Sequence, residues 1–101
     1  MIETLKQKAQ RLLSDVPGEY VFRSSNGHIL RNLKELNEEL NTMSGESYAT
    51  HVNKEKNDFT NWVRDVIRDE ELARNLQKTP NQAQAAKMVS SRITTLSKVA
   101  A

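Results

Sequence analysis

The sequence contains no cysteine, two prolines, three glycines and an aromatic fraction of only 5% in 101 residues. Without cysteine, disulfide bonds and thiolate metal sites are excluded, and the sequence carries no sign of a redox compartment. No apolar run approaches the roughly 20 residues that a membrane-spanning helix needs. The first residues, MIETLKQKAQRLL, mix charged and apolar side chains, unlike a secretory signal. We therefore expect a cytoplasmic protein without a membrane contact.

Acidic residues are missing from the C-terminal third of the chain. The net charge is only +2, but residues 1–50 carry six Lys/Arg against seven Asp/Glu, and residues 51–101 carry nine against six. After the last acid, Glu71, five cations follow: Arg74, Lys78, Lys87, Arg92 and Lys98. This basic region is either a solvated helix face or a contact for an acidic partner or nucleic acid.

The segment 51–73 carries much of the apolar surface that a core requires. Its apolar residues fall on one stripe of a helix: Phe59, Trp62, Val63, Val66 and Ile67. A short side-chain oxygen from Asn57 or Asp58 can cap that helix. We therefore predict a structural role for His51, Asn57, Asp58, Phe59 and Trp62.

Two predicted terminal helices carry apolar residues at the same spacing of three, four, three and four. The seam of the first helix, in residues 1–16, is Ile2, Leu5, Ala9, Leu12 and Val16, and that of the last, in residues 79–101, is Ala86, Val89, Ile93, Leu96 and Ala100. Pro17-Gly18 ends the first helix, and Thr79 as cap with Pro80 at the first helical position starts the last. The two seams either pack within one molecule or form a homo-oligomer. The predicted partner contacts are Ile2, Leu5, Ala9, Leu12, Val89, Ile93 and Leu96.

A β-hairpin is predicted directly after the first helix. A three-residue loop at 25–27, ending in a glycine bulge, pairs Phe22 with Leu30, whereas a two-residue turn would pair Phe22 with Arg31. The first register places Tyr20, Phe22 and Leu30 on one face, so we prefer it.

Short helices follow the hairpin and complete a middle region that spans residues 19–78. A capping box of Asn32 and Glu35 starts a helix. Its predicted inward face is Leu33, Leu36, Leu40 and Met43, and its outward face is Lys34, Glu35, Glu38 and Glu39. Ser44 and Asp69 are expected to cap further helices. The prediction is one mainly α domain over residues 1–101, with five to six helices and one short β-hairpin.

The middle region also carries a composite motif. Phe22 and Gly27 are followed by LRNLKEL at 30–36, HVN at 51–53 and NDFTNWV at 57–63. This order resembles a family of small prokaryotic domains of unknown function, with an F-x(4)-G hairpin, an (S/N)-L-x-E-L helix and an H-V-N…N-D-F-x-x-W-V motif. The resemblance covers residues 20–76 and excludes the terminal helices. It implies the fold of the middle region and no activity.

No constellation of catalytic residues appears in the sequence. His51 could act as a general base oriented by Asp58, but no nucleophile or phosphate-binding glycine loop accompanies it. The two histidines are far apart in sequence, so we predict no metal and no cofactor.

We predict a non-enzymatic protein-interaction or assembly module that contacts a second copy or another protein through its terminal helices. The alternative is a small nucleic-acid-associated protein that uses its basic C-terminal third. The contacts would then be Arg64, Arg68, Arg74, Lys78, Lys87, Arg92 and Lys98.

Overall fold

The computed structural model describes residues 2–79 and 81–101, and it confirms the predicted mainly α fold. The helices are α1 (Leu5–Leu13), α2 (Leu33–Thr42), α3 (Gly45–His51), α4 (Asp58–Trp62), α5 (Glu70–Lys78) and α6 (Gln82–Ala100). Strands β1 (Phe22–Arg23) and β2 (Ile29–Leu30) form one antiparallel hairpin. Among the described residues, no helix combines the length and apolar character needed to cross a membrane.

The register of the hairpin is the predicted one. Phe22 pairs with Leu30, and the loop closes with a hydrogen bond of 2.9 Å from the Ser24 amide to the His28 carbonyl. Gly27 has a φ of 92°, the left-handed region that a glycine adopts without steric strain. The expectation for Tyr20 is wrong, because this residue ends a 3-10 turn before β1 and its side chain is exposed.

The first terminal helix is shorter than predicted. Thr4 caps α1 through a capping box with Gln7, and α1 ends at Leu13, before Pro17. The amide and hydroxyl of Ser14 both donate to the Arg11 carbonyl, so the helix ends there rather than at the proline.

The last helix begins later than predicted. Asn81 caps α6 by accepting a hydrogen bond of 3.1 Å from the Gln84 amide, and Thr79 instead follows the end of α5. The prediction of Thr79 as the cap is therefore wrong, since an equally good capping oxygen lies two residues further on. Pro80, predicted at the first helical position, lies outside the described residues.

The predicted apolar stripe lies in the core. Phe59, Trp62, Val63 and Ile67 are buried and Val66 is half-buried. The indole nitrogen of Trp62 donates a hydrogen bond of 2.8 Å to the Tyr20 carbonyl. The α-helical geometry stops at Trp62, and a π-helical turn follows over Val63–Ile67. Sequence periodicity alone did not predict this change of geometry.

Helices α1 and α2 both pack against α6. The inward face of α2 is buried as predicted, and Asn32 caps this helix by accepting from the Glu35 amide at 2.8 Å. The Glu35 carboxylate accepts from the Arg31 amide instead of the predicted cap amide. Glu39 was predicted to face water but is 3% exposed, because the hairpin loop covers it and His28 lies 2.8 Å from its carboxylate.

Candidate basic cleft

Six cations from distant parts of the chain line one cleft between α1, the π-helical turn, α5 and α6. We call it the basic cleft, and its cations are Lys8, Arg11, Arg64, Arg68, Arg74 and Arg92. Asp69, Glu70 and Glu71 also line it, and its volume is about 610 Å³. The lining residues therefore carry six positive and three negative charges.

A buried ion pair holds the base of the cleft in place. Arg92 donates from Nε and Nη2 to the two carboxylate oxygens of Asp69, at 2.7 and 3.1 Å. Asp69 is almost fully buried, and it also caps α5 by accepting from the Leu72 amide. A fork-to-fork pair of this kind fixes the plane of the guanidinium group. Asp69 thus fixes the orientation of Arg92 within the folded chain.

The outer edge of the same guanidinium group faces Glu71. Arg92 Nη1 lies 2.7 Å from Glu71 Oε2, and the Glu71 side chain is 65% exposed whereas that of Asp69 is 1% exposed. Burial lowers the pKa of Arg92, but its two carboxylate partners outweigh burial and raise the pKa above the ordinary value. Arg92 therefore stays charged, with one firmly bound carboxylate and one solvent-exposed carboxylate.

The π-helical turn brings two further arginines to the cleft. Arg64 donates to Asp65 at 2.9 Å, and this hydrogen bond lowers the pKa of the Asp65 carboxyl. Arg68 directly follows the turn, and its amide donates to the Val63 carbonyl at 2.8 Å. Its φ of 71° and ψ of 37° place it in the left-handed region. A residue with a Cβ loses about 1–2 kcal/mol in that region, and such strain is concentrated at functional sites.

Three of the six cations make no ion pair with any described residue. Arg11 pairs with Glu3 at 2.8 Å, Arg64 with Asp65, and Arg92 with two carboxylates. The unpaired cations are Lys8, Arg68 and Arg74, all of them exposed. They supply positive charge that the rest of the cleft does not neutralise.

Some of the predicted nucleic-acid contacts line the basic cleft, and others lie outside it. Arg64, Arg68, Arg74 and Arg92 line it, together with Lys8 and Arg11, which sequence reasoning missed. The missed pair lies three residues apart on α1, and each of the two directly precedes a buried seam residue, a signal that could have placed them beside the seam. The remaining predicted contacts do not line the basic cleft: Lys78, Lys87 and Lys98.

The predicted partner-contact residues divide into buried and exposed sets. Ala9 and Leu12 of α1 and Val89 and Leu96 of α6 are buried in the common core, and Ile93 is half-buried. The exposed members lie at the beginning of the chain: Ile2 is 92% exposed and Leu5 is 78% exposed. The chain therefore covers most of the two seams by itself.

His51 lies in a separate polar cluster beneath the hairpin loop. Its Nε2 accepts a hydrogen bond of 3.0 Å from the Ser25 amide, and its Nδ1 lies 2.9 Å from Asp58 Oδ2. An amide can only donate, so we assign a neutral ring with its proton on Nδ1, which donates to Asp58. The ring packs between Phe22 and Phe59, with centroids 5.1 and 5.3 Å away. The imidazole nitrogen that a general base would use is thus bonded to the backbone.

Asp58 also receives a hydrogen bond of 3.0 Å from the Lys56 ammonium group. Burial raises the pKa of the Asp58 carboxyl, but the hydrogen bonds from His51 and Lys56 outweigh burial and bring the pKa below its ordinary value. Asn57, the other predicted capping residue, accepts from the Thr60 amide at 3.0 Å. The cluster joins the hairpin loop to the start of α4.

In residues 2–79 and 81–101, no group of three or more His, Asp or Glu side chains is arranged to hold a metal ion.

Comparison with known proteins finds no matching family model, no matching curated protein and no matching solved structure. The resemblance of residues 20–76 to a family of unknown function stays a prediction.

Proposed function

We propose that this protein is a non-enzymatic binding module whose basic cleft holds a phosphate-bearing partner. The observation that carries the proposal is the convergence of six cations from separate segments on a single cleft. Residues at positions 8 and 92 meet there only because the chain folds α1 against α6.

The kind of cation in the cleft also supports a phosphate ligand. Five of the six cations are arginines, whose planar guanidinium groups bind phosphate through two parallel hydrogen bonds and stay charged at any physiological pH. Asp69 fixes the orientation of Arg92, so less side-chain freedom is lost on binding. Arg68 and Arg74 make no ion pair with the described residues, so they can contact phosphate without breaking one.

The non-enzymatic part of the proposal is supported by the environment of His51. A general base must accept a proton from the reacting group at hydrogen-bond distance. In His51 the Nδ1 proton is directed at Asp58, and Nε2 already accepts from the Ser25 amide. Proton abstraction by His51 would require the hairpin loop to release that bond.

A binding experiment with a fluorescein-labelled single-stranded oligonucleotide tests the proposal. We expect the affinity to fall as salt rises, because phosphate contacts release counterions. The double variant Arg68→Ala/Arg74→Ala should bind at least about tenfold more weakly, because each lost contact removes about 1 kcal/mol of binding free energy. The control Arg23→Ala/Lys78→Ala removes the same charge outside the cleft and should bind nearly as well as the unmodified protein. Equal losses in the two double variants would contradict a role for the cleft.

Self-association is a second candidate function, favoured by the exposed beginning of the chain. Ile2 and Leu5 are the two most exposed large apolar residues of the described chain. A contact between copies at this end would bury them without unfolding the core. Light scattering after size exclusion should then detect a dimer that Ile2→Ser/Leu5→Ser abolishes and that Ile29→Ser leaves intact. A monomer at millimolar concentration would refute this candidate.

A further inference from the structure

We infer, on the basis of the proposed function, that the ligand of the basic cleft is a compact oligophosphate which takes the place of the Glu71 carboxylate on Arg92. The distribution of the cations supports this class of ligand, and the pairing of Arg92 supports the exchange with Glu71.

The distribution of the cations favours a compact ligand over a long nucleic-acid backbone. Duplex DNA carries one negative charge for about every 1.7 Å of its axis, so a protein that follows it needs cations along an extended surface. Here six cations line a single cleft of about 610 Å³, and the predicted contacts Lys78, Lys87 and Lys98 do not line it. Clefts of about 300–1,000 Å³ are typical of small-molecule sites. Several phosphate groups in one small molecule match this arrangement.

The pairing of Arg92 indicates where one phosphate group binds. Nε and Nη2 are committed to the buried Asp69, so exchange at that edge would leave a buried carboxylate without its partner. Nη1 instead contacts Glu71, whose side chain is mostly in water. An exposed ion pair contributes only about 0–1 kcal/mol. An oligophosphate can therefore replace the Glu71 carboxylate while Asp69 keeps the guanidinium group in place.

Two neighbouring acids provide a matched test of the displacement. Glu70 and Glu71 both line the cleft on the first turn of α5, but of these two acids only Glu71 is paired with Arg92 in the described chain. Isothermal titration calorimetry with inorganic tripolyphosphate should give a tighter affinity for Glu71→Gln than for Glu70→Gln. The expected difference is about two- to fivefold, the free energy of one exposed ion pair expressed as a ratio of dissociation constants. Equal effects of the two substitutions would overturn the displacement of Glu71.

A competition experiment separates this inference from the proposed function. Tripolyphosphate should displace the labelled oligonucleotide from the unmodified protein, and Arg68→Ala/Arg74→Ala should weaken both ligands. An oligonucleotide that binds through the cleft but resists tripolyphosphate would overturn the compact ligand and leave the proposed function standing. If neither ligand binds at low salt, both the inference and the proposed function are wrong.

Discussion

Arg68 is predicted to favour binding at the expense of fold stability. Its left-handed backbone, with a φ of 71°, follows the π-helical turn, at a position where glycine would be free of strain. A residue with a Cβ loses about 1–2 kcal/mol in this region. Glycine avoids that cost, but its larger conformational freedom in the unfolded chain lowers the free energy of unfolding by about 0.5–1 kcal/mol. We therefore expect Arg68→Gly to unfold with a free energy about 0.5–1 kcal/mol higher than Arg68→Ala.

Urea denaturation of the two variants measures this difference, and oligonucleotide binding measures the function of the guanidinium group. Both Arg68→Ala and Arg68→Gly should bind more weakly than the unmodified protein, and by a similar factor, since both lack the guanidinium group. Only Arg68→Gly should gain stability. If Arg68→Gly is no more stable than Arg68→Ala, the backbone of Arg68 is not strained and the reasoning is wrong. If both variants keep full affinity, Arg68 is not part of the binding site.

Three further predictions concern the stability of the fold. Arg92→Ala should lower the free energy of unfolding by about 3 kcal/mol, because it leaves the Asp69 carboxylate buried without its partner; chemical denaturation should show a smaller loss when Asp69→Asn is added. The lowered pKa of Asp58 gives stability that is present above the ordinary value of 3.8 and is lost as the pH falls through the folded-state value. The difference in the free energy of unfolding between the unmodified protein and Asp58→Asn should therefore become smaller as the pH falls below 3.8, and chemical denaturation at several pH values measures this difference. Gly27→Ala should destabilise the folded protein by about 1 kcal/mol, because the φ of this residue is positive. Gly45→Ala should not destabilise the protein, and thermal unfolding of the two variants compares these effects.

Much of the fold follows from local patterns that act over a few residues. The spacing of Phe59, Trp62 and Val63 predicted a buried helical face, and the loop at 25–27 predicted the hairpin register. Both patterns depend on neighbours close in sequence, where periodicity and turn chemistry are informative. Caps were predicted correctly where one oxygen clearly precedes the helix, as at Asn32.

The errors arise where distant segments decide the outcome. Glu39 lies on the predicted outward face of α2, and it is buried because the hairpin loop folds over it and supplies His28. The π-helical turn after Trp62 and the left-handed Arg68 carry no periodic signal in the sequence. Such features reflect the packing of the whole chain.

The candidate site could be predicted only in part for the same reason. Charge counting identified Arg74 and Arg92 from the absence of acids after Glu71, and it identified Arg64 and Arg68 as basic residues of the segment 51–73. It did not identify Lys8, since only the packing of α1 against α6 brings that residue to the cleft. The composition indicated that basic residues are candidates for binding, and the fold determines which of them line the cleft.

The most direct test of the basic cleft is a titration of the isotope-labelled protein with tripolyphosphate, in which the NMR chemical shifts of the backbone amides are measured. We predict that the largest shifts occur at residues 68–74 and around Lys8 and Arg92, and that these shifts become smaller as salt is added. Shifts centred on Lys78 and Lys98, or no shifts at low salt, would contradict this prediction.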